Sequence, residues 1–464
     1  MNTIIAQLIA LWKDKGTMVD IENHLNIWFQ GWNEWLMQHA IERMDKELYY
    51  HYKQEGWKID RKEPRTVQFQ FGQVTFYRRR LEKEGEQSFL ALDKALGLEK
   101  YKRHSPHVKA AMAQLGAQMP YRQAEKALKL AGSVRASHTT IHKATQEVGG
   151  KVEHYLNQYD YASSNKKRKK VKAIFIEGDG VMINGREKKS PTIHRIVIHE
   201  GVNREKKRHT LINPMIFSSL ESSQDAFKQA AHYLNQVYNL KETIVVTNSD
   251  GGSGYEADKF ESIIGYSKQH EHFRDLFHVH KKIKERLFFD KPLAKQMEKA
   301  IYRYDWDRIE TLCATIESRL IDLPEVIVEE RMEQIRKLKN YLARNWIYIK
   351  PFKKRDLPIE SSTGVGETGH RLYTYRMKRQ GRSWTKKGAS HVVSILTAEK
   401  NGLLQTALTA EITDKVESLG EDIKGAVRQA LKKATSPSHT VQTGSIVNYG
   451  PKSSFIGQLG LLFS

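Results

Sequence analysis

Two short apolar runs constrain this chain more than any other feature. Ala173-Ile174-Phe175-Ile176 runs into Glu177 and Asp179, and Ile244-Val245-Val246-Thr247 runs towards Asp250. Runs of this length, rich in β-branched and aromatic residues, read as buried strands. An acid that closes a buried strand needs a reason, because burial penalises its charge. A strand end holds a side chain rigidly while leaving it open to solvent, which suits a metal ligand. For either acid alone, a carboxylate capping a turn or the next helix is the more ordinary reading. For the two as a pair, that ordinary reading weakens.

The elements around these runs give the fold class. Val171 to Ile176, His194 to His199 and a third strand near Thr210 to Phe217 precede a helix at Gln224 to Tyr238 and the strand Thr243 to Thr247. Met182 to Lys188 reads as a polar turn. Strand, strand, strand, helix, strand makes an α/β sheet with mixed pairing. Residues 281–355 then carry Leu287, Ile301, Ile309, Leu312, Ile316, Leu320, Ile335, Leu338 and Leu342 at helical spacing, a helical insertion. The sheet-bearing core is thus expected in two pieces, 165–280 and 356–400, with helices and a tail over 401–464.

Residues 1–60 repeat apolar and aromatic side chains at helical spacing, Trp28, Trp32 and Trp35 among them. Within 61–164, Val67, Phe69 and Phe71 alternate with polar residues, and Val74 and Phe76 lead into Arg78, Arg79 and Arg80. The pattern predicts a basic hairpin turning at Gly72-Gln73, with its three arginines expected to contact DNA. Tyr121 to Leu130, a break at Ala131-Gly132-Ser133, and a helix capped by Ser137 have the shape of a helix-turn-helix. Its second helix would present His138, Thr139, His142 and Lys143 to a major groove; an ordinary helical hairpin fits equally well. The basic run at 165–170, which includes Lys169, is either a solvated linker or a contact to a DNA backbone.

Lys and Arg number 76 against 54 Asp and Glu, a net charge of +22. Such a surplus makes nucleic acid the leading partner, through counterion release, with a merely well-solvated surface as the alternative. Cys313 is the single cysteine, so an intrachain disulfide and a multi-cysteine zinc site are excluded, and a reducing cytoplasm fits. Thr3 to Trp12 is apolar but has no basic segment before it and is too short to span a bilayer. No membrane role is expected.

Magnesium takes hard oxygen ligands, so carboxylates converging from separate elements would hold it. A third acid is then expected, and Glu367, in Gly364-Val365-Gly366-Glu367-Thr368-Gly369-His370, is the candidate. His270, His272, His278 and His280 cluster near Asp275 but follow no zinc-binding spacing, and read better as support for an active site. Gly251-Gly252-Ser253-Gly254 lacks the Gly-Lys-Ser/Thr ending of a phosphate loop and reads as a turn beside Asp250.

In order along the chain stand Phe71-Gly72-Gln73-Val74, Leu92-Asp93-Lys94-Ala95-Leu96-Gly97-Leu98, Glu177-Gly178-Asp179-Gly180-Val181 and His199-Glu200-Gly201. Asn248-Ser249-Asp250-Gly251-Gly252, Asp275-Leu276-Phe277-His278, Arg376-Met377-Lys378 and Trp384-Thr385-Lys386-Lys387-Gly388-Ala389 follow. In this order the pieces resemble the ISLre-type insertion-sequence transposases, bacterial relatives of the mutator-like DDE transposases, through most of residues 60 to 395. The resemblance implies an RNase H-like catalytic domain with a helical insertion, behind a mainly helical DNA-binding N-terminal region. It implies a triad of Asp179, Asp250 and Glu367 binding Mg2+, with Mn2+ able to substitute. Asp275 and His278 look like the superfamily's Cys/Asp-x-x-His signature, with a purely structural role as the alternative, and Glu177 would support the first acid. Arg376, Lys378 and Arg382 would contact DNA, and Trp384 would be core or a wedge at the DNA end.

The implied partners are the terminal inverted repeats, target DNA and further copies of the chain, since two element ends must be brought together. The implied location is the bacterial cytoplasm, on the nucleoid. An RNase H-like nuclease or resolvase and a catalytically inactive DNA-binding regulator are the alternatives.

Overall fold

Thr17 starts a 37-residue helix, α1 (Met18–Gln54), through a reciprocal cap with Asp20. The Thr17 hydroxyl accepts from the Asp20 amide, and the Asp20 carboxylate accepts from the Thr17 amide, both at 3.3 Å. Donors that a helix start would leave unmet are thereby satisfied. Trp28, Trp32 and Trp35 stack in series along it, with ring centroids 6.4 and 5.4 Å apart. A computed structural model describes residues 17–132, 134–162, 167–188, 190–204, 210–321, 323–360 and 371–417, side chains as far as 410, together with Ala6, Ile9, Ala10, Trp12 and Lys13. The chain divides into two units, residues 1–148 with 406–464 and residues 149–405. The basic run at 165–170 belongs to the second; its residues 165 and 166 lie outside the described residues, as does the tail from 418.

In the first unit β1 (Lys58–Phe69) and β2 (Gly72–Glu82) form the expected hairpin. Phe69 pairs with Gly72, so the turn is Gln70-Phe71, two residues earlier than the sequence suggests. β3 (Phe89–Leu90) meets β2 only at Arg80 and Leu81. Elsewhere α1 satisfies outward-facing donors of β2. Glu34 accepts from the Gln73 amide at 3.3 Å, Glu42 from that of Tyr77 at 3.0 Å and Asp45 from that of Arg79 at 3.1 Å. From Glu34 to Glu42 the helix rises roughly 12 Å, and from Gln73 to Tyr77 the strand advances roughly 13 Å, so the spacings match. A sheet edge that could recruit another strand is covered.

After the short α2 (Ala91–Ala95) come α3 (Pro106–Gln118), α4 (Tyr121–Ala131) and α5 (His138–Gln158). The Ser137 hydroxyl accepts from the Thr140 amide at 3.3 Å, the cap expected there. Val108, Met112, Ala124, Ile141 and Ala144 bury the common core of the three helices.

The second unit is built on β4 (Ala173–Met182), β5 (Thr192–His199), β6 (Val202–Asn203), β7 (Thr210–Leu211), β8 (Met215–Ser219), α6 (Ser223–Val237), β9 (Ile244–Ser249), α7 (Ala257–Ile264) and β10 (Gln269–Arg274). Five strands make one sheet in the order β10-β9-β4-β5-β8, and β6 with β7 forms a separate ribbon. β4, β5 and β8 run antiparallel in succession, whereas β4, β9 and β10 are parallel. The mixed α/β sheet is as expected. The third sheet strand is β8, because Thr210-Leu211 turns back on β6 instead. β4 reaches Met182, six residues beyond the apolar run, and β10 was not legible in the pattern.

Successive side chains of a strand alternate between faces. Ile174, Ile176, Ile196, Ile198 and Val245 bury one face against Phe227 and Ala230 of α6 and Phe260 of α7. On the other, Ala173, Phe175, Ile244, Val246 and Phe273 pack with Phe352, Leu357 and Ile359. Glu177 and Asp179 continue this second row. α8 (Leu276–Arg286), α9 (Lys291–Arg303), α10 (Trp306–Leu320) and α11 (Glu325–Ile349) follow β10 and share a core that buries all nine apolar residues singled out from the helical spacing. α12 (Arg371–Met377), α13 (Lys386–Lys400) and α14 (Leu404–Glu417) complete the described chain. No helix among the described residues is long and apolar enough to cross a membrane.

Candidate active site

Asp179 stands inside β4, not after it, because Glu177 to Met182 keep pairing with β5 from Val197 to Thr192. β9 is shorter. It ends at Ser249, paired with Gly178, so the chain leaves the sheet at Asp250 beside Asp179. Glu177 pairs with Asn248, and the next residues on that face are Asp179 and Asp250, so both carboxylates belong to one side of the sheet. The Asp275 amide donates to the Ser249 carbonyl at 2.9 Å, which brings a further acid to the same strand ends. Glu177, Gly178, Asp179, Arg195, Asn248, Ser249, Asp250 and Asp275 line one cleft.

Local bonds set the carboxylates. Asp179 Oδ1 accepts from the Gly180 amide at 2.6 Å, and Asp250 Oδ1 from the Gly252 amide at 2.8 Å. Tyr255, just past the glycine turn, donates its hydroxyl to the Asp179 carbonyl at 2.9 Å. His194 Nδ1 lies 2.9 Å from the same hydroxyl oxygen and, since the hydroxyl proton is already committed, must carry the proton between them. Burial, then the Asp179 charge, push the Tyr255 phenol up, so it stays a donor. Glu177 is 4% exposed, with His199 Nε2 at 3.8 Å.

Two buried guanidiniums flank the acids. Arg195 is the register partner of Asp179 on β5, and Arg274, at the end of β10, lies under the turn that begins at Asp250. Burial lowers both, and neighbouring acids, Glu177 and Asp179 for one and Asp250 for the other, act in the opposite direction. Neither arginine stands out as a site residue in the sequence. Arg195 had a visible signal, a charge inside the apolar alternation His194-Arg195-Ile196-Val197-Ile198; Arg274 had none beyond its place next to Asp275.

Asp179, Asp250 and Asp275 are half-buried carboxylates on the cleft, with Glu177 buried beside them, an oxygen set that suits a hard divalent cation. Among the described residues no group of three or more His, Cys, Asp or Glu is gathered closely enough to hold a metal ion. Glu367 lies outside the described residues. Asp275 caps α8 by accepting from the Phe277 amide at 2.9 Å while lining the cleft; His278, half-buried, is not among the lining residues. His270 and His272 are strand residues. Both bond Thr247 Oγ1 at 2.8 Å, so that hydroxyl donates to one ring and accepts from the other.

The residues expected on DNA divide into two groups. Thr139, His142 and Lys143 are exposed on one face of α5, and Lys378 and Arg382 are exposed as well. Lys169 is exposed but bonds Glu200 at 2.6 and 2.7 Å. By contrast, Arg78 pairs with Asp93, Arg79 with Asp45, and Arg80 with Glu63 at 2.7 Å, so these guanidiniums hold the first unit together. Arg376, expected on DNA, is instead buried: it is 2% exposed, and its guanidinium lies 4.9 Å from the Trp384 ring. Trp384 is core too, its indole donating to the Met377 carbonyl at 3.1 Å.

The model of an uncharacterised protein family, UPF0236, matches residues 16–413. A UPF0236 protein in the vanSb 3′ region of Streptococcus gallolyticus is 40% identical over 98% of this chain and 99% of its own length. Two UPF0236 proteins of Caldanaerobacter subterraneus subsp. tengcongensis are 22% and 21% identical, over 79% and 75% of this chain and 75% and 70% of their own lengths. The name of the first joins eleven designations from that one strain.

Proposed function

The chain belongs to the UPF0236 family, and from that premise we propose that it is a DDE-type transposase. It would cleave DNA at the ends of an insertion sequence and join them to a target. The observation that carries this reading is the convergence of Asp179 and Asp250, from adjacent parallel strands, on one open cleft. Three antiparallel strands followed by two parallel ones, in the order β10-β9-β4-β5-β8, support an RNase H-like core. Helices α8 to α11 form the insertion between the second acid and Glu367. A relative carried under eleven designations in one strain is consistent with copies left by a mobile element. The net charge of +22 supports DNA as partner.

In this reading Asp179, Asp250 and Glu367 hold Mg2+, or Mn2+ in its place. When bound, the metal supplies charge neutralisation and an activated oxygen nucleophile for in-line attack at phosphorus. The chain's own part is position and field. Arg195 and Arg274 place positive charge beside the carboxylates, Tyr255 ties the Asp250 turn to β4, and Asp275 with His278 stands towards the scissile phosphate. Thr139, His142, Lys143, Lys378 and Arg382 bind the terminal repeats or target, and copies of the chain pair two element ends on the nucleoid.

The test is cleavage and joining of a labelled element-end duplex in Mg2+ or Mn2+. The wild type is expected to do both, and Asp179→Ala, Asp250→Ala and Glu367→Ala each to bind the duplex and do neither. Hydrolysis without joining would instead make the protein a nuclease or resolvase. Binding with no cutting in either metal would make it a regulator.

A further inference from the structure

Arg274 is 8% exposed, and its Nε and Nη1 have no hydrogen-bond partner among the described residues. A guanidinium keeps its charge in a protein, so unmet donors are costly and its surroundings must hold it by other means. One side is held by α11. Arg274 Nη2 donates to Asn345 Oδ1 at 2.7 Å, and Asn345 Nδ2 donates to the Tyr341 carbonyl at 2.7 Å, so the amide is fixed at both ends. The Tyr348 ring lies 5.8 Å from the guanidinium and stands edge-on to His272. The other side meets the turn after β9. Gly251 has φ +71°, and a Cβ there would overlap the guanidinium.

That turn is otherwise shaped by short-range bonds. The Gly251 amide donates to Ser249 Oγ at 3.3 Å, the Gly252 amide to Asp250 Oδ1 at 2.8 Å, and the Gly254 amide to the Glu256 carboxylate at 3.0 Å. These bonds define its shape without tying it to the helical insertion. Tyr255 anchors its far end to β4. Arg274 is the group under its near end, where Asp250 sits.

We infer that Arg274 is a positioning residue that fixes the Asp250–Gly252 turn to α11, so that the helical insertion sets one wall of the acidic cleft. The consequence for metal rests on the transposase reading; the coupling itself does not. DNA held by the insertion would then act on Asp250 through Asn345 and Arg274.

Asn345→Ala cuts the link from α11 without touching the turn, and Arg274→Met removes the charge at similar volume. Hydrogen exchange on the full metal-free chain is expected to speed about tenfold over residues 249–256 in both variants, with α9 unchanged. Mn2+ affinity, read by electron paramagnetic resonance titration, is expected to fall about tenfold or more. Asn345→Asp, which keeps the acceptor for Arg274 but loses the bond to the Tyr341 carbonyl, is expected to return most of the wild-type protection. Wild-type exchange over 249–256 in Asn345→Ala would overturn the inference, whether or not Arg274→Met folds. If exchange changes while neither wild type nor Asp250→Ala binds Mn2+, the coupling stands and the metal reading of the cleft fails.

Discussion

Asp179 and Arg195 are register partners across β4 and β5, an acid and a guanidinium on one face of the sheet. Arg195 is 4% exposed, and Tyr373, Glu177 and Asp179 are the groups that offset its burial. Tyr373 is buried on α12, its hydroxyl 2.5 Å from Ser218 Oγ and 2.9 Å from Thr397 Oγ1. Arg195 therefore stands between the strand of Asp179 and α12.

Removing that guanidinium takes the positive charge away from Glu177, which is buried, and Asp179, which is half-buried. Arg195→Leu is expected to cost about 3 kcal/mol in urea unfolding of the full chain, the scale for a buried charge that loses its opposite. Tyr373→Phe, which loses only a hydroxyl, should cost about 1 kcal/mol. An Arg195→Leu protein as stable as wild type would mean that the charge has no structural work to do here.

Acid stability carries a separate signature. Burial, then the Arg274 charge, lower His272 to about 3, well under its unfolded value of about 6.5. Between those values the unfolded chain binds a proton that the folded chain refuses. Stability is therefore full above about pH 6.5 and falls as pH drops towards 3, by up to about 1.4 kcal/mol per pH unit from this group. His272→Asn should flatten that slope in chemical denaturation measured at pH 4 to 7; an unchanged slope would place the acid lability elsewhere.

The same histidine explains why part of the fold was not legible. β4 and β9 begin as apolar runs and can be read directly, but β10 is Gln-His-Glu-His-Phe-Arg, a polar string. Its burial is satisfied by Thr247, which bonds both histidines, and by Arg355, which bonds Glu271 at 2.6 Å; these partners are distant in sequence. The acids at 179 and 250 were legible because an apolar strand ran into each. That Asp179 lies within its strand was not, because Glu177-Gly178-Asp179-Gly180 has the composition of a turn, and only pairing with β5 keeps it extended. The arginines at 78 to 80 look like a phosphate-binding patch until Asp93, Asp45 and Glu63 are brought to them by the fold.

Asp93 is the acid that balances this arginine cluster. It pairs with both Arg65, at 2.6 Å, and Arg78. Burial and the Arg65 charge lower Arg78 to about 10, so without Asp93 the buried Arg65 and the half-buried Arg78 would face each other as unbalanced cations. Asp93→Asn is expected to destabilise the first unit by about 3 kcal/mol, seen as faster exchange in β1 and β2 peptides. Retained protection there, with DNA binding lost, would return these arginines to the interface.

DNA binding should separate exposed cations from buried ones. Lys143, Lys378 and Arg382 are exposed, whereas Arg376 is buried against Trp384. If the exposed three meet phosphates, changing any one to Ala should weaken binding across sequences and lower the slope of log affinity against log salt by about 1. Arg376→Ala should instead lower the melting temperature, because it empties a core position and strands the groups packed around the guanidinium. Fluorescence anisotropy at several salt concentrations, paired with thermal melts, reads both effects. A stable Arg376→Ala protein with a reduced salt slope would mean that this residue reaches DNA after all, and that α12 rearranges when it binds.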